Sequence, residues 1–257
     1  MTRSGERLPR RSPELSSVEP RVRASDSFKT ARPGAAETAR MTERTFTPAL
    51  GRFASTRFYD PVASLMRERL WRALLAMHVA ARPDDVIVDV GCGTGSLALL
   101  LNRAEPEARI IGVDPDPEVL DLARGKAGAD APTLEWRVGM GDALVELLGA
   151  GSATAVVSSL VLHQCPIGMK RAIIASMAAV LRPGGRLVIA DYGLQRTCLS
   201  RLGYRVVQLA DGKEDTQPNA EGVLPHLMAE AGLHDVREAD VVSTITGTIS
   251  IYVARRG

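Results

Sequence analysis

The stretch VIVDVGCGTG, residues 86–95, constrains the fold more than any other part of this 257-residue chain. Its first five residues are apolar except for Asp89, which is typical of a central parallel strand that is covered on both faces. Glycines follow at every second position, at Gly91, Gly93 and Gly95. Glycine lets the backbone turn tightly and lets a ligand approach with no Cβ in between. The stretch therefore predicts a buried strand that ends in a ligand-binding loop, with a tight turn that binds nothing as the alternative.

Strands and helices alternate regularly from this stretch onward. Apolar patterning predicts strands near residues 86–90, 109–113, 134–138, 154–158 and 186–191. It predicts helices between them, near residues 95–103, 117–124, 142–148 and 167–181. This alternation is typical of an α/β fold in which a doubly wound, mostly parallel sheet carries helices on both faces.

The end of the chain breaks the alternation. Two β-rich runs, residues 235–242 and 246–254, are separated by too few residues for a crossover helix, so we expect them to pair antiparallel. A helix near residues 223–231 precedes them and ends at Gly232. Residues 199–210 form one more short amphipathic helix. It either packs on the fold, covers an apolar substrate as a lid, or touches a membrane.

The N-terminal segment differs in composition from the rest. Residues 1–40 are rich in Arg, Ser, Pro, Ala and Thr, lack a hydrophobic period, and hold nine basic residues against five acidic ones. Such a segment buries too little apolar surface to offset its ordering entropy. We expect residues 1–45 to be a disordered tail and residues 46–257 to form the domain. Five acids argue against an organelle-targeting peptide, and translation from Met41 is an alternative start.

A helix is expected between this tail and the first strand. Asp60 followed by Pro61 is typical of an N-cap and first helical position, and Arg82 with Pro83 ends the segment. Apolar residues recur at helical spacing between these limits. The segment predicts lid helices at the N-terminal edge of the domain.

Composition excludes several classes of protein. Cys92, Cys165 and Cys198 are widely spaced, so they form neither a disulfide framework nor a CxxC metal pair. They indicate reduced thiols in a cytoplasmic protein that holds no metal. Residues 41–257 carry 23 bases and 25 acids, without the basic surface of a nucleic-acid-binding protein. No apolar run approaches the roughly 20 residues that cross a bilayer.

Acidic residues at the ends of later strands predict contacts with a nucleoside. Asp114 ends the second strand, where it would accept hydrogen bonds from ribose hydroxyls, unless it is a solvated loop carboxylate. Asp142 follows the third strand and would accept from an exocyclic amine, cap a helix, or do both. The amide of Ala143 would donate to a ring nitrogen. Ser96 stands where the dinucleotide fingerprint has its last glycine, which disfavours a nicotinamide cofactor.

Taken in order, the motifs DVGCGTG, VD, GDA, SSLVLHQ, LRPGG and LVIADY resemble the class I S-adenosylmethionine-dependent methyltransferases. The resemblance covers roughly residues 50–254 and implies a Rossmann-like fold with S-adenosyl-L-methionine as cofactor. The elements FYDP, LWR, GDA and LHQ look most like the menaquinone/ubiquinone C-methyltransferases and their small-molecule relatives. Residues 191–212 replace a longer insertion of the quinone enzymes, which disfavours a quinone as acceptor.

The resemblance also implies roles for individual residues. The cofactor-binding set it implies is Tyr59, Asp89, Gly91, Gly93, Gly95, Asp114, Pro115, Asp142, Ala143, Ser158 and Leu160. The three glycines would line the methionine part and Pro115 would border the adenine. Ser158 and Leu160 would lie near the amino group and the sulfonium. Tyr59 would close the lid over the cofactor, or simply pack the lid.

The acceptor side is predicted less directly. His163 follows the fourth strand, where a neutral imidazole would act as general base, or where the ring is simply hydrogen-bonded in the loop. Asp191, Tyr192 and His226 are further candidates to face the methyl group.

The function expected is methyl transfer to a small molecule with an apolar part. A quinone or phospholipid head-group methyltransferase, a nicotinamide-dependent oxidoreductase and an inactive cofactor-binding protein are the alternatives. Peripheral membrane contact and the oligomeric state stay open.

Overall fold

The computed structural model describes residues 67–128 and 133–257. Its strands are β1 (Val86–Val90), β2 (Arg109–Asp114), β3 (Leu134–Val138), β4 (Ala153–Ser159), β5 (Leu181–Tyr192), β6 (Leu233–Thr244) and β7 (Gly247–Arg256). Its α-helices are α1 (Glu68–Val79), α2 (Ser96–Ala104), α3 (Pro117–Ala127), α4 (Leu144–Leu148), α5 (Ile167–Val180), α6 (Cys198–Asp211), α7 (Lys213–Ala220) and α8 (Leu224–Glu230). Short 3₁₀ turns span Gly141–Ala143 and Leu162–Gln164.

The described strands form one sheet in the order β3-β2-β1-β4-β5-β7-β6. The five strands from β1 to β5 are parallel, and β7 pairs antiparallel with both β5 and β6. The expected doubly wound sheet and its antiparallel end are thus confirmed. Strand order reverses between β1 and β4, and the crevice at the carboxyl ends of such neighbouring strands is where open α/β sheets bind ligands.

Alternate residues of the central strands enter two apolar layers, one on each face of the sheet. On one face Val88 and Val90 pack in a cluster with Ile173 of α5 and Leu227 of α8. On the other face Ile87 packs in a cluster with residues of α1, α2 and α6. These strands are covered on both sides, which is why they are mostly apolar. The buried polar residues of β1, β4 and β5 are Asp89, Thr154, Ser158 and Asp191.

Several elements differ from the expectation. Strand β5 begins at Leu181 rather than near residue 186, with a register shift against β4 between Ala153 and Ala155. Helix α1 ends at Val79, three residues before Arg82. Helix α7 was not expected, because its sequence KEDTQPNA is polar and contains Pro218.

Some expectations lie outside the described residues. These are the tail at residues 1–45, the domain boundary at residue 46, the helix start at Asp60 and the lid residue Tyr59. Within the described ranges, every helix is too short or too polar to cross a membrane.

Candidate functional site

The loop between β1 and α2 is shaped by three glycines with positive φ. Gly91, Gly93 and Gly95 have φ of 69°, 53° and 75°. A Cβ at Gly91 would overlap the side chain of Val161, and one at Gly95 would overlap the ring of Trp136. A Cβ at Gly93 would meet no atom of the described residues within 4 Å. Close packing therefore requires two of the glycines, whereas Gly93 faces open space at the crevice.

Asp114, at the end of β2, is buried beside this loop. One carboxylate oxygen accepts a hydrogen bond from the Gly93 N–H at 2.9 Å, and the other accepts from the Asp116 N–H at 3.0 Å. Burial raises the pKa of Asp114, against the effect of these two hydrogen bonds. The solvated alternative is therefore wrong. Each oxygen keeps a second lone pair, so the carboxylate that holds the loop can still accept from a ligand hydroxyl.

Asp89 lies at the base of the same loop and is fully buried within β1. Its carboxylate oxygens have no hydrogen-bond partner of ordinary geometry among the described residues, although the backbone N–H of Ala98 interacts with them. Burial raises its pKa to about 7, and the charge of Arg72 on α1 and the backbone of Ala98 on α2 oppose this shift. Buried polar atoms nearly always have partners, so a carboxylate that is satisfied only in part next to the crevice indicates a position for a ligand donor.

The turn after β3 differs from the expectation in the hydrogen bond of Ala143 and in the N-cap of α4. The N–H of Ala143 donates to the Met140 carbonyl at 3.1 Å, so the donor predicted for a ring nitrogen is engaged within the turn. Ala143 also occupies the N-cap position of α4, which rules out Asp142 as that cap. Asp142 is half-buried in the turn, and Pro115 is half-buried directly after β2.

The end of β4 holds two further predicted residues. The Ser158 hydroxyl is buried and donates to the Val90 carbonyl at 2.8 Å. This hydrogen bond ties β4 to β1, and the position of Ser158 near the cofactor's amino group stays a prediction. Leu160 has φ of 55°, a left-handed conformation that is unfavourable for leucine, and its N–H donates to Ala190 at 2.9 Å. This strained residue turns the chain sharply at the crevice.

Asp191, on β5, organises the loop that follows. It is fully buried and accepts backbone hydrogen bonds from Val161 at 3.1 Å and Leu162 at 2.7 Å through one oxygen. Its other oxygen accepts from the Tyr192 N–H at 2.7 Å and pairs with Nδ1 of His163 at 2.8 Å. Asp191 is therefore saturated by this chain and positions the loop.

His163 is buried between two carboxylates. Its Nδ1 contacts Asp191, its Nε2 lies 3.5 Å from Oδ2 of Asp211 on α6, and its ring meets Tyr192 edge-on at 4.9 Å. Burial lowers its pKa, but the two carboxylates outweigh burial and raise the pKa to about 9. The ring is then cationic at pH 7 with both nitrogens engaged. This geometry matches the hydrogen-bonded alternative and opposes the expected role as general base.

Lys170, on α5, was not predicted and lies under the same loop. Its ammonium is fully buried, and its three N–H groups are shared among four carbonyls, those of Leu162, Cys165, Asp215 and His163, at 2.5, 2.6, 2.8 and 3.2 Å. Burial lowers its pKa. A sequence signal was present, because Lys170 stands three and four residues before the buried Ile173 and Ile174. Its partners were not predictable, since they come from distant parts of the chain.

The remaining candidates lie elsewhere or serve the fold. The His226 side chain is 72% exposed on α8 and pairs with Glu230, so it does not face the methyl group. The Tyr192 hydroxyl pairs with the hydroxyl of Thr246 at 2.8 Å. Within residues 67–128 and 133–257 no His, Cys, Asp and Glu residues cluster as metal ligands do.

Comparisons with known proteins agree with this architecture. Residues 87–185 match the family model of a methyltransferase domain. The demethylmenaquinone methyltransferase of Deinococcus radiodurans is 37% identical over 136 residues, which cover 51% of this chain and 53% of that protein. The malonyl-[acyl-carrier protein] O-methyltransferase of Methylococcus capsulatus is 32% identical over 150 residues, 58% of this chain and 52% of that protein.

A solved structure supports the fold independently. The magnesium protoporphyrin IX methyltransferase of Synechocystis, solved with bound SAH, has a TM-score of 0.59 at 19% identity, covering 80% of this chain and 90% of that one. The chain spans about half the length of the two curated relatives. The matched region is the one that carries the glycine loop, Asp114 and the loop at the end of β4. Residues 87–185 thus match a methyltransferase domain, and these findings support the resemblance to the class I S-adenosylmethionine-dependent methyltransferases that the sequence motifs led us to expect.

Proposed function

We propose that this chain binds S-adenosylmethionine at the carboxyl ends of β1, β2 and β4 and transfers its methyl group to a small molecule with an apolar part. The fully buried Asp89 beside the glycine loop carries this proposal, because the charge of Arg72 and the Ala98 backbone compensate its burial only in part and leave its pKa raised to about 7. The ammonium of the cofactor's methionine part would supply a further donor. The match of residues 87–185 to a methyltransferase domain supports the same reaction.

The residues present fit that cofactor. Asp89 would accept from the amino group, Gly93 would leave room for the methionine part, and Asp114 would accept from the ribose. Asp142 and Pro115 would border the adenine. When bound, the cofactor supplies an electrophilic methyl group on a sulfonium, and orientation of the acceptor against it supplies much of the catalysis.

His163 would then serve as a positioning residue. Its cationic ring, held by Asp191 and Asp211, fixes the loop from Val161 to Cys165 that closes one side of the crevice. A general base in this position would have to release a proton at a pH well below its pKa of about 9. We therefore assign the ring to shaping the acceptor side.

We propose only a broad class of acceptor, because the relatives are named for unlike acceptors. The two curated relatives are named for demethylmenaquinone and for malonyl-[acyl-carrier protein], which are chemically distant acceptors. Cys92, Cys165 and Cys198 are all free, which supports a cytoplasmic protein.

Calorimetry of the full chain with S-adenosylmethionine, its demethylated product and NAD tests the proposal. We expect the first two to bind and NAD not to bind. Asp114→Ala should weaken both by about 10- to 100-fold, because a hydrogen bond to a charged group contributes roughly 1.5–3 kcal/mol. Asp121→Ala, which removes an exposed carboxylate on α3, is the matched control and should change nothing.

Two outcomes would contradict the proposal. Binding of NAD alone would favour the oxidoreductase. Binding of S-adenosylmethionine without transfer to any compound in an acceptor library, followed by mass spectrometry, would favour a protein that only binds the cofactor.

A further inference from the structure

Helix α6 carries apolar residues on both of its sides, including the side that faces water. Tyr204 and Val207 point into the fold and are buried. The opposite side exposes four large aliphatic side chains, which we call the outer face of α6: Leu199 at 78%, Leu202 at 59%, Val206 at 61% and Leu209 at 88% exposed. Single exposed aliphatic residues are ordinary, but a contiguous row of them marks an interaction surface.

The turn between β6 and β7 extends this surface. Gly203 of α6 packs directly against the backbone of Ile245, where a Cβ would overlap the carbonyl oxygen. The Ile245 side chain is itself 56% exposed. The apolar surface therefore continues from the helix onto the hairpin.

The charge beside the outer face is positive. Arg201 and Arg205 are exposed on α6, and Lys213 is exposed directly after it. The single acid of the helix, Asp211, is turned inward to His163, with its side chain only 12% exposed. The next acidic residue along the chain is Glu214, in α7. The outer face thus presents aliphatic side chains flanked by cations, the pattern by which helices lie at an anionic membrane surface.

We propose that the outer face of α6 docks on an anionic lipid bilayer, with its leucines among the acyl chains and Arg201 and Arg205 at the phosphates. This goes beyond the proposed function, since lipid binding is measurable without methyl transfer. The surface is joined to the site, because Asp211 at the end of α6 pairs with His163 of the crevice loop. A bilayer at this face would bring apolar acceptors next to the crevice.

Neither the chain's own N-terminal segment nor a second copy complements the positive charge beside the outer face of α6 as well as an anionic bilayer does. The chain's own residues 1–66 contain twelve basic residues against seven acidic ones, so they bring the same sign of charge to the surface. A second copy that met this face symmetrically would set Arg205 near its own counterpart. Only a partner with anionic groups above an apolar layer complements both features.

Co-sedimentation of the full chain with vesicles tests the proposal. We expect binding to phosphatidylcholine vesicles that contain phosphatidylglycerol, little binding to phosphatidylcholine alone, and weaker binding as salt screens the arginines. The double variant Leu202→Gln/Leu209→Gln should bind about tenfold or more weakly, since two apolar side chains no longer insert. Arg205→Glu should also weaken binding.

A control variant distinguishes binding through the outer face of α6 from nonspecific binding through any exposed leucine. Leu122→Gln changes a leucine that is 55% exposed on α3, away from the surface, and should bind like the wild type. Circular dichroism should show each variant folded, because every altered side chain is exposed. Absence of binding by the wild type, or equal binding by the α6 variants, would overturn the proposal.

Photocrosslinking identifies the occupant directly. With Leu209→p-benzoylphenylalanine in the presence of the mixed vesicles, a crosslink to lipid supports the proposal. A crosslink to residues 1–66 of the same chain, or to a second copy, overturns it.

Discussion

Asp89 is proposed to bind the cofactor, but its buried carboxylate destabilises the ligand-free protein. Burial raises its pKa to about 7, whereas the unfolded chain has the ordinary value of 3.8. The native state therefore binds the proton more tightly, so the ligand-free protein loses stability as pH rises from about 4 to about 7. Residues that are destabilising in the free protein and retained at a crevice are typical of binding sites.

Asp89→Asn should make the ligand-free protein more stable at pH 8 and should lower its affinity for S-adenosylmethionine. The amide removes a buried charge without changing the shape, and the gain in melting temperature should shrink toward pH 4, where the wild-type carboxyl is protonated. Thermal melts with and without ligand measure both effects. Asp121→Asn, on the surface of α3, should show neither. A variant that melts lower and binds normally would place Asp89 in the structure only.

The glycine loop allows a second comparison between single residues. Gly91→Ala and Gly93→Ala both impose a side chain on positive φ, which costs about 1–2 kcal/mol. Only the first also overlaps Val161, so its free energy of unfolding should fall further in urea. Gly93→Ala should instead show the greater loss of cofactor affinity relative to its loss of stability. The double variant Gly91→Ala/Val161→Ala should recover part of the lost stability.

Failure of that recovery would mean that Val161 is not what holds Gly91 at this position. Equal stabilities of the two single variants would contradict the difference in packing between them.

At the scale of elements, α6 is tied to the crevice loop by the pair of Asp211 and His163. The pKa of His163 is raised from 6.5 to about 9, so the proton it holds stabilises the native state fully below pH 6.5. This contribution is lost as pH rises through 9. Asp211→Asn removes one of the two carboxylates that raise this pKa.

The variant Asp211→Asn should therefore be less stable than the wild type at pH 6.5, and the difference should shrink by pH 9. Hydrogen exchange should show faster opening of α6 amides while β4 and β5 stay protected, because Asp191 still holds the loop. His163→Gln should remove the same pH dependence and is the reference for it. Unchanged α6 exchange in Asp211→Asn would show that the buried Tyr204 and Val207 alone fix the helix.

Elements were predictable where one short stretch contains the whole signal. The apolar run before Gly91 predicted β1, and the close spacing of the last two runs predicted the antiparallel pairing of β6 and β7. Helix α7 was missed because its stability comes from partners outside it, such as the Tyr204 hydroxyl, which donates to Thr216 at 3.0 Å. Pro218 within it further obscured the pattern.

Site residues were likewise predictable only where one short stretch of sequence contains the signal. Asp114 is the last residue of β2 and the glycines come directly after β1, so their positions along the chain were enough to predict them. The environment of His163 was not predictable, because its carboxylates come from β5 and from the far end of α6. Sequence spacing gave the residue, whereas the charge state that opposes its role as a base depends on tertiary contacts.

At the scale of the whole molecule, two truncations test where the folded domain begins. Residues 1–40 lack hydrophobic periodicity, and α1 contributes Trp71, Leu75 and Val79, each at most 1% exposed, to the layer that covers one face of the sheet. Removal of residues 1–40 should leave the melting temperature and the S-adenosylmethionine affinity nearly unchanged. Removal of residues 1–82 takes α1 away and should abolish cooperative unfolding, because losing each large buried side chain costs about 2–5 kcal/mol against a total stability of about 5–15 kcal/mol.

The same pair of truncations separates the tail from the lipid-binding surface. The basic segment at residues 1–40 is removed in the shorter truncation, while Leu199, Leu202, Leu209 and Arg205 stay in place. If α6 binds the bilayer, this truncated chain should still sediment with phosphatidylglycerol-containing vesicles, and Leu202→Gln/Leu209→Gln should still weaken it. Loss of vesicle binding together with residues 1–40 would assign the membrane contact to the tail. A drop of several degrees in melting temperature would instead show that the tail packs on the domain, and the domain would then begin before residue 46.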